Sequence, residues 1–89
     1  MKTMMNVTFQ RAALDDIKNE KGGVPKQFRK PLRDFLRNMT YIGQGMRCSD
    51  PRYPDLYFIK FRNWYVLYLP LSQQQVVVVA VMYNYGQLP

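Results

Sequence analysis

The amino-acid sequence predicts an α+β domain: an N-terminal strand, then a helical hairpin packed on a mainly antiparallel four-stranded sheet. Three observations predict it. Two apolar stripes at helical spacing fall in the first half of the chain. Three β-rich runs separated by turn residues fall in the second half. Charge is also confined: every Asp, Glu, Lys and Arg lies at or before Arg62, so the segment from Asn63 onward reads as sheet interior.

Asn6-Val7-Thr8-Phe9 clusters β-branched and aromatic residues and reads as the first strand. From Gln10 the period changes. Ala13, Leu14 and Ile17 make a helical stripe with Asp15, Asp16 and Lys18 outside it, and Gly22-Gly23 is expected to end this helix. A second helix follows Pro25, with Phe28, Leu32, Phe35, Leu36 and Met39 on one side. Lys26, Lys30, Arg33 and Arg37 form a parallel stripe of cations. Pro31 either kinks this helix or moves its start to about Lys30.

Gly43-Gln44-Gly45 and the stretch from Asp50 to Asp55 read as loop. Leu56 to Phe61 and Trp64 to Leu69 read as strands joined by a tight turn at Arg62-Asn63. Trp64 is assigned to the core. Pro70 to Gln74 reads as a turn, and Val76 to Met82 as a strand whose four successive valines suit burial on both faces.

A chain of 89 residues makes one domain, residues 1–89, and its 47% hydrophobic content is enough to build a core rather than a disordered chain. One cysteine, Cys48, excludes an internal disulfide. With no histidine, a zinc site is not expected, and neither is a cofactor. Cys48 reads as a free thiol in a loop, which suits a reducing cytoplasm. Residues Met1 to Met5 lack the apolar run of a signal peptide, and Val76 to Met82 is too short to span a bilayer. A soluble, cytoplasmic protein is therefore expected, without membrane contact.

The formal net charge of +7 asks for an acidic partner, whether nucleic acid or an acidic protein segment. Residues 21 to 37 concentrate it: Lys21, Lys26, Arg29, Lys30, Arg33 and Arg37 face one acidic residue, Asp34. A solvated helix face would also account for charges at this spacing. Phosphates, or carboxylates of a partner, would relieve the repulsion along the helix.

The segment from Leu56 to Tyr68, LYFIKFRNWYVLY, resembles the signature of the RelE/ParE superfamily, toxins of bacterial type II toxin–antitoxin pairs. Leu56, Ile59, Asn63, Val66, Leu67 and Tyr68 fit that pattern directly; Lys60 keeps its basic character and Trp64 its aromatic. The ending from Val81 to Pro89 is similar to ParE-type tails in its Leu88-Pro89, and to YoeB-like tails in its Tyr83-Asn84-Tyr85. The chain departs from the family where arginines are common, at Tyr57 and Tyr65. It departs again in the tail, where Tyr83, Asn84, Tyr85 and Gly86, or Met82 in the YoeB-like alignment, replace the usual histidine and arginines.

The resemblance implies a growth-arresting toxin held in check by an acidic antitoxin segment that is disordered until it binds. Two targets follow from it. ParE-like members inhibit DNA gyrase without a nuclease site, and the missing histidine and arginines favour this branch. RelE-like and YoeB-like members cut mRNA on the ribosome. Such cleavage needs a base for the 2′-hydroxyl, cations for the developing charge and an acid for the leaving oxygen. Lys60 and Arg62 would supply the charge, while Tyr65 and Tyr85 would stack on bases or move protons. Tyr83 and Asn84 join the second-helix cations Lys26, Lys30, Arg33 and Arg37 as binding candidates. A tyrosine hydroxyl is a poor base at neutral pH, and Lys60 would serve as one only if burial or neighbouring cations favoured its neutral form. The plainer readings are that Lys60 and Arg62 are solvated hairpin residues and that Tyr65, Tyr83 and Tyr85 pack on the sheet. A non-toxic basic module that binds nucleic acid, or an inactive relative kept as an assembly partner, is a third reading.

Overall fold

A computed structural model of the chain describes residues 5–38, 46–47, 51 and 55–84. The elements run β1 (Asn6–Phe9), α1 (Arg11–Lys18), α2 (Lys26–Arg37), β2 (Met46–Arg47), β3 (Tyr57–Phe61), β4 (Trp64–Ser72) and β5 (Gln75–Tyr83). The sheet order is β1-β5-β4-β3-β2. This is the expected strand, helical hairpin and antiparallel meander, with one addition. Met46–Arg47 pairs with Phe58 and Tyr57 as a two-residue fifth strand. The exception to antiparallel pairing is β1, which lies parallel to β5 from Asn6↔Gln75 to Phe9↔Val78. Met39, Cys48 and Tyr85 lie outside the described residues.

The helices follow their apolar stripes. Ala13 and Ile17 of α1 are buried, as are Leu32 and Leu36 of α2. Helix α2 begins at Lys26, not at Lys30: Pro31 sits exposed inside it. Its missing N–H removes one helical bond, but burial of Leu32 and Leu36, roughly 1.5–3 kcal/mol each, favours keeping the helix whole. Helix α1 ends at Lys18, earlier than its glycines suggest. Asn19 turns to extended backbone, and its side-chain oxygen accepts the N–H of Lys21 at 2.9 Å, which starts the turn locally. The loop then closes back, with the Val24 N–H donating to the Ile17 carbonyl at 2.9 Å. Gly22 takes φ 78° within it. Gly23 has no room for a side chain, because a Cβ there would meet the Asn19 carbonyl oxygen at 2.0 Å.

Two bulges shape the meander. Leu67 pairs with Ala80 but Tyr68 with Val78, which leaves Val79 as an extra residue on β5. Pro70 pairs with Val76 but Ser72 with Gln75, which leaves Leu71 extra on β4. Strand β4 therefore runs through Pro70, where the sequence suggests a turn, and the turn shrinks to Gln73-Gln74. The proline is tolerated because it lies beyond Tyr68, the last β4 residue paired with β3.

The bulge at Val79 also sets which side chains reach the helices. Val76 and Val78 are buried before it and Val81 after it, so an even-numbered face becomes odd-numbered. These valines join Trp64, Val66 and Tyr68 of β4 and Ala13, Ile17, Val24, Leu32 and Leu36 in one core. Val77 and Val79 are only half-buried, so β5 is fully covered on one face and not on both. Alternation points Phe58, Lys60, Tyr65, Leu67 and Met82 to the sheet's second face. Among the described residues no helix is long and apolar enough to cross a membrane.

Candidate functional site

Helix α2 separates its two stripes cleanly. Phe28, Leu32, Phe35 and Leu36 turn inward: Phe35 meets Phe61 with ring centroids 5.3 Å apart, and Phe28 meets Trp64 at 6.3 Å. Lys26, Lys30, Arg33 and Arg37 are exposed on the outer side. At 100° per residue the four fall within an arc of about 60°. None of the four carries an ion pair among the described residues, Asp34 included. Arg29 flanks the stripe and is held in place, its Nε donating to the Val24 carbonyl at 2.9 Å.

The sheet divides the other candidates. Strand alternation alone would put Lys60 and Arg62 on one face. Arg62, however, sits in the β3–β4 turn at φ 53°, a left-handed conformation that redirects its side chain. Its guanidinium lies 4.4 Å from the centre of the Phe28 ring and 5.7 Å from that of Phe61, stacked against α2. Lys60 stays exposed on the second face, directly across from Tyr65. Tyr65 in turn pairs with Met82 and sets its ring edge-on to Phe58 at 5.7 Å.

Tyr83 belongs to the helix-covered side, with its ring edge-on to Trp64 at 5.6 Å. Asn84 is anchored through its backbone, whose N–H donates to the Asn63 carbonyl at 2.7 Å. Tyr65 and Tyr83 approach from opposite faces yet line one cleft of about 340 Å³, with Asp16, Asn19, Lys21, Gly22, Val81 and Met82. The cleft opens because β1 stops beside Val78 while β5 continues to Tyr83. There α1 takes over from the missing strand: an Asp16 carboxylate oxygen accepts the Val81 N–H at 3.0 Å. Asp16 is thereby engaged in structure. The phenols and Lys21 leave room for a small polar group, at the lower end of ligand-site sizes.

The structure brings Lys60 and Tyr65 together, and it brings Tyr65 and Tyr83 to one cleft. It sets Arg62 and the four α2 cations apart from both. Asp16, Asn19 and Lys21 carry no sign of the cleft in the sequence, since their position depends on how far β5 outruns β1. Neither protein-family models nor curated proteins give a match to this chain.

Proposed function

We propose that this chain is the toxin half of a bacterial toxin–antitoxin pair and that it arrests growth by binding, as ParE-like inhibitors of DNA gyrase do. The observation that carries the choice of binding over cleavage is the stacking of Arg62 on Phe28. It leaves Lys60 as the described cation across from Tyr65 on the second face, while Lys21 reaches the Tyr65 cleft from the loop after α1. Phosphoryl-transfer chemistry calls for several cations converging on one phosphate, with an acid and a base at hand. Lys60 and Lys21 beside Tyr65, with Asp16 already engaged by the Val81 N–H, fall short of that set. The test is supercoiling by purified gyrase, which the protein should inhibit near stoichiometric ratios. Full supercoiling at high excess would remove gyrase as the target.

A second reading, a ribosome-dependent endoribonuclease, is favoured by the Lys60–Tyr65 pairing. Translating ribosomes challenged with the protein would then show cuts in the message at the decoding site. Under either reading an acidic antitoxin covers the domain. Leu71, 54% exposed, and the half-buried valines of β5 offer it apolar contacts.

A further inference from the structure

We infer that the outer face of α2 is a docking surface for the phosphate backbone of duplex DNA. From Lys26 to Arg37 the helix rises about 16 Å, a span over which each DNA strand presents about five phosphates. Lys26, Lys30, Arg33 and Arg37 line that span in a narrow arc, exposed and with no ion pair among the described residues. Arg29 adds a guanidinium at the flank whose Nε alone is engaged with Val24. The opposing charge on this face is Asp34, beside the arc and not paired with it.

The rest of the face decides between kinds of partner. Its other exposed residues are Gln27, Pro31, Asp34 and Asn38, because every large apolar side chain of the helix points into the core. Among the described residues of this face an acidic protein segment would find no pocket for the apolar anchors that carry protein–protein affinity. Among the described residues of this face a single strand would find no aromatic platform for its bases. A duplex backbone needs neither, and the major groove of B-form DNA is wide enough to admit a helix. Contacts to phosphate carry no sequence information, so binding through them is independent of sequence. The inference does not rest on the toxin reading.

The experiment is fluorescence anisotropy of a labelled DNA duplex of arbitrary sequence with the purified full chain, titrated over salt. Four phosphate contacts give a log–log salt slope of about −3.6, or roughly a hundredfold loss of affinity between about 50 and 200 mM salt. Lys26→Gln with Arg33→Gln should bring the slope to about −1.8. Lys26→Arg with Lys30→Arg should leave it unchanged. All four positions are exposed, and coincident thermal melts establish that the variants are folded. Absence of duplex binding at low salt overturns the inference, as does an unaltered slope in the glutamine variant. Tighter stripe-dependent binding of a single strand or of a polyglutamate peptide overturns it too, and assigns the face to that partner instead.

Discussion

The Asp16 carboxylate serves as a strand substitute for Val81: it accepts that residue's backbone N–H at 3.0 Å at the point where β1 no longer flanks β5. The bond ties the first helix to the last strand across 65 residues of sequence. Asp16→Ala strands a part-buried N–H, so a loss of roughly 1–3 kcal/mol is expected in urea denaturation. Asp16→Asn keeps an acceptor oxygen and should lose less. Faster hydrogen exchange at the Val81 amide in the alanine variant would locate the effect. Equal stabilities for all three proteins would show that the bond contributes nothing.

Trp64 closes the loop between the helices. Its Nε1–H donates to the Gly22 carbonyl at 2.9 Å, and its ring is buried between Phe28 and Tyr83. Trp64→Phe keeps an aromatic ring but abandons the carbonyl, at an expected cost of roughly 1–3 kcal/mol by denaturant titration. A neutral result would place the loop's stability elsewhere.

The two glycines of that loop should behave differently. At Gly22, φ 78° makes alanine strained by about 1–2 kcal/mol. At Gly23, an added Cβ meets two backbone oxygens, of Asn19 at 2.0 Å and Ile17 at 2.7 Å, neither at the end of a flexible side chain. Gly23→Ala should therefore be the more damaging, since relief requires moving the end of α1. Melting temperatures in the reverse order would contradict this loop geometry.

The types and order of the elements could be read from the sequence because periodicity reports them: the stripes of Ala13–Ile17 and Phe28–Leu36 are helical whatever surrounds them. What periodicity cannot report is a local slip. The bulge at Val79 changes which valines are buried without altering the composition of the run. Pro70 looks like a turn because its toleration depends on where β3 begins. The α2 cation stripe was legible for the same reason as the apolar one. The separation of Lys60 from Arg62 was not, because a single left-handed residue undoes the alternation. Asp16 gave no signal, since its role comes from the unequal lengths of β1 and β5.

Arg62 offers a test of that separation. Arg62→Ala loses a cation–π contact worth about 0.5–1 kcal/mol and keeps the left-handed strain. Arg62→Gly loses the same contact but relieves strain of about 1–2 kcal/mol, so it should be at least as stable as wild type. If alanine and glycine variants are equally stable, the turn is not strained as described.

Growth after induction distinguishes arrest by binding from arrest by cleavage. The comparison is between wild type and Lys60→Ala with Tyr65→Phe. Lys60 is exposed and phenylalanine preserves the ring that packs on Phe58, so the double variant should fold. Arrest by binding requires arrest by both proteins, relieved when the neighbouring gene is co-expressed. Arrest by wild type alone would make Lys60 and Tyr65 catalytic, and unimpeded growth with both would show that the chain is no toxin.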